Sequence, residues 1–166
     1  MNTDEAVIVA LGGNLALEGQ AVQAVLELAA GRLAGAGLRP VRRSGWWRSA
    51  AWPDPAEPPY LNAVAWVETD LEPQAVLNAL LEIETAFGRR RSVPNAPRTL
   101  DLDLIAHGRR TIEEPSLVLP HPRAAERLFV MGPLAEIAPG WRHPVTGETA
   151  VDLAGRASVG TDATPI

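Results

Sequence analysis

Arg98-Thr99-Leu100-Asp101-Leu102-Asp103-Leu104-Ile105 alternates apolar and acidic side chains. In a strand, successive side chains point to opposite faces, so Leu100, Leu102 and Leu104 share one face and Asp101 and Asp103 the other. One apolar and one polar face is the pattern of an antiparallel sheet with a core on one side. The two carboxylates sit about 7 Å apart at the backbone, and their repulsion is offset by a hard divalent cation, whose preferred ligands are carboxylate oxygens. Arg98 lies immediately before the strand, and Arg89, Arg90 and Arg91 lie just upstream. Carboxylates for metal beside guanidiniums for phosphate suit a magnesium-bound polyphosphate. The same alternation also reads as an exposed strand with solvated aspartates. Against that stands the depletion of Asp in strands.

Working upstream, residues 89–97 form a basic irregular loop holding Pro94, Asn95 and Pro97. Before it, Thr69-Asp70-Leu71-Glu72-Pro73 reads as a helix start, with a cap residue, acid and a first-turn proline. Val76, Leu77, Leu80, Leu81, Ile83, Glu84 and Phe87 continue the helical stripe to Gly88, which ends it. Glu84 either points towards the site or is a solvated helix glutamate. Tyr60 to Glu68 is a strand with Tyr60, Asn62, Val64 and Trp66 on one face. Asn62 offers a donor and an acceptor, for a ligand or for the backbone of an edge strand. Residues Arg48 to Pro59 carry Pro53, Pro55, Pro58 and Pro59 and read as a long loop of the kind that binds or covers ligands.

The opening run Ala6 to Leu11 is continuously apolar, a buried central strand ending at the turn Gly12-Gly13-Asn14. That turn lacks the spacings of the known phosphate loops. A helix follows from about Glu18 to Leu33, with Val22, Val25, Leu26, Leu28, Ala29 and Leu33 at helical spacing and Gly35 and Gly37 as its stop. Leu38 to Trp47 reads as a second strand, with Trp46 and Trp47 packing at a sheet edge.

Downstream, His107-Gly108-Arg109 is a turn into a short hairpin strand near Ile112. His121, stiffened between Pro120 and Pro122, is either a phosphate donor or a structural histidine. Ala124 to Ala138 is helical, with Arg127, Phe129, Val130, Leu134 and Ile137. The tail predicts a hairpin near His143-Pro144, a short helix from Ala150 to Leu153, and fraying over Gly160 to Ile166.

The order β-α-β-β-α-β predicts an α+β fold: a ferredoxin-like α/β sandwich with an antiparallel sheet and a C-terminal helical extension. No repeat or linker divides the chain, so residues 1–166 read as a single domain. Its composition, 46% hydrophobic and 21% charged over 166 residues, is that of a globular domain with a real core. The net charge of -5 disfavours non-specific nucleic-acid binding. Cysteine is absent, which excludes disulfides, thiolate metal sites and cysteine nucleophiles. No apolar run spans a membrane and the acidic N-terminus lacks a signal-peptide n-region, so the cytoplasm is the expected compartment.

Taken together, these motifs resemble the 6-hydroxymethyl-7,8-dihydropterin pyrophosphokinase family of folate biosynthesis, over nearly the whole chain. The resemblance rests on Ala10-Leu11-Gly12-Gly13-Asn14-Leu15, Tyr60-Leu61-Asn62-Ala63-Val64, and Ile83-Glu84 with Gly88-Arg89-Arg90-Arg91. It rests most specifically on Pro97-Arg98-Thr99-Leu100-Asp101-Leu102-Asp103, and then on Leu119-Pro120-His121-Pro122-Arg123 with Glu126-Arg127 and Phe129, and Pro133-Leu134-Ala135-Glu136-Ile137-Ala138-Pro139. It implies attack of the pterin hydroxymethyl oxygen on the β-phosphorus of ATP, with AMP leaving. It implies Asp101 and Asp103 as ligands of two Mg2+ ions, and Arg89, Arg91, Arg98, His121 and Arg127 as phosphate-binding groups, the first two catalytic on a mobile loop. Tyr60 and Phe129 would sandwich the pterin and Asn62 bond its edge, while Glu84 and Leu104 would lie near the nucleotide. The implied partners are the small molecules ATP and hydroxymethyl-dihydropterin, with no nucleic acid and no membrane, and other folate-pathway enzymes are further candidates.

The departures are Asn95, where many members carry Trp, a basic loop one residue shorter, and Ser49-Ala50-Ala51-Trp52 in place of a Thr-Pro-rich segment. Two other readings are a non-catalytic relative that binds nucleotide or pterin, and a different magnesium-dependent nucleotide enzyme on the same sandwich.

Overall fold

A computed structural model describes residues 2–14, 21–51, 54–88 and 100–166. The central strand β1 (Val7–Gly13) is flanked by β5 (Asp101–His107) and β4 (Tyr60–Glu68), both antiparallel to it. Beyond β4 lie β2 (Arg39–Arg43) and β3 (Trp47–Ser49), also antiparallel. Grouping β2 with β3, the four expected strands therefore stand in the order fourth, first, third, second, that of a ferredoxin-like sheet. A separate hairpin pairs β6 (Ile112–Glu114) with β7 (Leu117–Leu119).

Helices α1 (Val22–Arg32) and α2 (Pro73–Ala86) cover one face. That core joins Val7, Val9 and Leu11 of β1 and Ala63, Ala65 and Val67 of β4 to Val25, Leu26, Val76 and Leu80. Leu100, Leu102 and Leu104 point into it, as their alternation requires. The C-terminal extension covers the other face. Here α3 (Leu128–Ile137) and α4 (Ala150–Gly155) bury Val130, Met131, Leu134 and Leu153 against Ile8, Val64, Trp66 and Ile105. The sheet thus lies between two helical layers. No helix among the described residues is long and apolar enough to cross a membrane.

Several expectations need correction. The second strand is split: Ser44, its hydroxyl accepting from the Val64 N–H at 2.9 Å, stands between β2 and β3. Arg48 and Ser49 belong to β3 rather than to the following loop. Trp46 is not at an edge but in the core under α1, its indole donating to Glu27 at 2.7 Å. Leu28 is 56% exposed, on the outer side of α1. Helix α2 begins at Pro73 with Glu72 as its cap residue, and Thr69 instead closes a local turn by accepting from Leu71. Residues 160–166 are not frayed: β8 (Thr164–Pro165) pairs with β3 and extends the sheet.

Candidate active site

Antiparallel pairing brings the C-terminal end of β1 and the N-terminal ends of β4 and β5 to one end of the sheet. Register places Asp101 opposite Gly12, and Gly12 opposite Asn62. One row across three strands therefore reads Asp101, Gly12, Asn62. The next row reads Asp103, Ala10, Val64. All lie on the face opposite α1 and α2. The residues of β1 beside the two carboxylates are Gly12 and Ala10.

Gly12 is required by this arrangement. A Cβ there would run into Asn62 Oδ1, with Asn62 Cγ at 3.4 Å. The Asn62 amide thus lies across the backbone of its neighbouring strand. A glycine inside a strand marks such a close approach. The sequence predicts a turn at Gly12, but β1 continues through Gly13. Asn14, 2% exposed, then donates to the carbonyl of Pro58 at 3.0 Å and ties the end of β1 to the loop entering Tyr60.

His121 is fixed beside Asp101. Its main-chain N–H donates to the carbonyl of Ile105 at 2.8 Å, which anchors it to the outer edge of β5. Its ring Nδ1 accepts the N–H of Arg123 at 3.2 Å, so Nε2 carries the proton of the neutral ring. Burial, then the Arg127 guanidinium, push the imidazole down to about 4 against the opposing pull of Asp101, with Arg123 adding to the push. His121 is therefore a neutral donor at pH 7. The Arg127 guanidinium stands over the Phe129 ring, 5.7 Å from its centre.

Two clefts flank the acids in sheet order. One, on the β5 side, is lined by Val118, Leu119, Pro120, His121, His143 and Val145. The other, beyond β4, is lined by Arg48, Ser49, Pro55, Pro59, Asp162 and Thr164. Trp47, opposite Asn62 in the register, packs its ring onto Gly132 of α3 and donates its indole N–H to Glu136.

Two predicted site residues take other places. Glu84 is 2% exposed and accepts the main-chain N–H of Leu102 at 2.6 Å, so its carboxylate is buried against β5 rather than solvated. Leu104 is 3% exposed in the core under the helices, on the face opposite Asp101 and Asp103, so its side chain does not reach the site. Arg89, Arg91, Arg98, Asn95 and Trp52 lie outside the described residues.

Among the described residues no group of three or more His, Cys, Asp or Glu side chains forms a metal cage. A same-face carboxylate pair nonetheless fits magnesium. That ion keeps several waters and takes one or two carboxylates together with substrate phosphates.

Residues 8–139 match the family model of 7,8-dihydro-6-hydroxymethylpterin-pyrophosphokinase. A 2-amino-4-hydroxy-6-hydroxymethyldihydropteridine pyrophosphokinase of Synechocystis is 44% identical over 88% of this chain and 73% of its own length. The enzyme of that name from Pseudomonas aeruginosa is 40% identical over 83% of each chain. The wild-type Plasmodium falciparum HPPK-DHPS solved with pterin and p-hydroxybenzoate shares the fold at a TM-score of 0.71 and 13% identity, over 97% of this chain and 46% of that one. This chain thus spans less than half the length of that solved protein. With the carboxylate pair, the strand asparagine and the sheet order all in place, the chain belongs to the 7,8-dihydro-6-hydroxymethylpterin-pyrophosphokinase family.

Proposed function

We propose that this end of the sheet transfers pyrophosphate from ATP to the hydroxymethyl group of 6-hydroxymethyl-7,8-dihydropterin, releasing AMP, as a step of folate biosynthesis. The observation that carries the reading is the row Asp101, Gly12, Asn62 between two clefts. It gives a place for a polyphosphate on one side and a flat, hydrogen-bonding ring on the other. Names of the relatives over most of both chains support the same reaction.

In this reading ATP enters on the β5 side, with the nucleoside towards the cleft of Val118 and His143 and the phosphates over Asp101 and Asp103. The neutral His121 donates Nε2–H to a phosphate oxygen, and Arg127 adds charge. Asp101 and Asp103 would hold two Mg2+ ions, which when bound supply charge neutralisation on the phosphates and acidify the attacking hydroxyl. On the other side Tyr60 and Phe129 stack on the pterin, and Asn62, held over Gly12, bonds its edge. Phosphoryl-type transfer needs little covalent help, so the work of these residues is alignment and charge stabilisation. Arg89, Arg91 and Arg98 are assigned to phosphate by family correspondence. The working chain acts as one pyrophosphokinase domain in the cytosol.

The test is AMP release from ATP in the presence of magnesium. Release that depends on added hydroxymethyl-dihydropterin supports the proposal. ADP release would point instead to a different nucleotide enzyme, and tight binding of both ligands without turnover to a non-catalytic relative.

A further inference from the structure

The segment from Ser158 to Pro165 touches Phe129, one wall of the pterin site as assigned above, and β3, the strand beside Tyr60, the other wall. At one end, the N–H groups of Ser158 and Val159 donate to the carbonyl of Glu126 at 3.0 and 2.9 Å. The N–H of Leu128 donates back to the carbonyl of Val159 at 2.9 Å. These bonds bracket the residues just before Phe129. Gly160 follows at φ +65°, and the Phe129 ring lies directly on it: an added Cβ would overlap Cδ1 and stand 2.8 Å from Cε1. Gly160 is thus glycine twice over, by backbone conformation and by contact.

At the other end, Asp162 accepts the N–H of Ala50 at 2.7 Å, where the proline-rich loop towards Tyr60 begins. Thr164 and Pro165 then pair with Arg48 and Trp47, and the N–H of Ile166 donates to the carbonyl of Trp46 at 3.0 Å. Eight residues therefore link the first turn of α3, which carries Phe129, to β3, whose Ser49 is the register partner of Tyr60.

We propose that Gly160 and Asp162 are positioning residues for the pterin: this strap holds the Phe129 ring and the start of the 50–59 loop at the spacing of a flat bicyclic ring. The inference rests on the assignment of Phe129 to the pterin. An aromatic wall fixed before binding loses no freedom when the ring arrives, so the strap acts on pterin affinity. Its bonds at Glu126 and Leu128 also bracket Arg127, assigned above to phosphate, whereas its Asp162 end meets Ala50 and β3, so ATP binding is expected to be independent of Asp162.

The experiment measures KM for hydroxymethyl-dihydropterin and KM for ATP in the full chain carrying Gly160→Ala, Asp162→Ala, Asp162→Asn or Phe129→Ala, with thermal melts of each. Gly160→Ala and Asp162→Ala are expected to raise the pterin KM by about tenfold, on the scale of a slightly misplaced substrate group, with the ATP KM of Asp162→Ala within about twofold of the parent. Asp162→Asn keeps an acceptor oxygen and is expected to recover most of the loss. A pterin KM unchanged in Asp162→Ala, or pterin and ATP KM rising together in that variant, overturns the strap even if Gly160→Ala does not fold. Phe129→Ala separates the two layers. If it raises the pterin KM while the strap variants do not, the strap alone fails. If it leaves the pterin KM untouched, the assignment of Phe129 fails and the strap with it.

Discussion

Glu84 on α2 accepts the main-chain N–H of Leu102, the residue between Asp101 and Asp103, at 2.6 Å. Strand β5 is an edge strand of the sheet, and its outward N–H groups need partners that no further strand supplies. A buried helix carboxylate fills that need and fixes the height of β5 against α2. Glu84→Ala leaves a buried N–H without its charged acceptor, which costs about 1–3 kcal/mol. Glu84→Gln, which keeps an acceptor oxygen, should lose less. Urea unfolding of both variants measures this. An alanine variant as stable as the parent would remove Glu84 from this role.

Asp101 and Asp103 carry like charges on one face, so losing either relieves some of their mutual repulsion. Asp101→Ala and Asp103→Ala should therefore lower turnover far more than stability. Turnover should fall on the order of a hundredfold or more, because metal-assisted charge stabilisation is worth several kcal/mol. Wild-type turnover in both variants would contradict the assignment of the pair.

The framework was legible where the periodicity was long. Tyr60 to Glu68 and the alternating leucines of β5 carry enough residues for a period of two to stand out. Strands β3 and β8 carry three and two residues, too few for any period, and β8 contains Pro165. The helices after Ala124 were visible as helices. That they cover the second sheet face was not, because Val130, Met131 and Leu134 announce burial without naming the surface that buries them. In the site, Asp101, Asp103 and Asn62 stood out because such residues are disfavoured in strands. Gly12 did not, since a glycine near a strand end reads equally as a turn. Glu84 did stand out as a site candidate, but its bond to a backbone group eighteen residues away could not be read from its place on a helix.

His121 gives a pH dependence of folding. Its pKa falls from 6.5 to about 4 in the folded chain, because burial and two arginines disfavour the imidazolium. The unfolded chain therefore binds the proton more readily. The stability tied to the neutral ring is complete above pH 6.5, declines as pH falls below that, and is gone below about 4. A shift of this size is worth at most ~3 kcal/mol, nearer ~1–2 for a ring only partly buried. Burial also lowers His143, so the comparison needs both variants. Urea midpoints of the metal-free protein at pH 7 and pH 4.5 should lie closer together in His121→Gln than in the parent or in His143→Gln. An equal slope in all three would exclude His121 as the source.

Gly12→Ala tests whether the open backbone of β1 is what places the Asn62 amide. The new Cβ overlaps Asn62 Oδ1, and the strand cannot retreat because β4 and β5 pair with it on both sides. The amide must rotate away or the β1–β4 ladder must spread. Overpacking costs about 1–3 kcal/mol of stability, here the low end because Oδ1 is the far end of a flexible, half-buried side chain. Displacing this half-buried hydrogen-bonding group should also weaken pterin binding by roughly tenfold, while ATP binding over Asp101 and Asp103 changes less. Calorimetric titration of each ligand separates the two effects. Pterin affinity equal to the parent in a folded Gly12→Ala chain would mean that Asn62 does not reach the pterin, and a combined Gly12→Ala, Asn62→Ala chain, in which the clash is gone, should then bind as the parent does. If Asn62 is the contact, that double variant should regain stability but not pterin affinity.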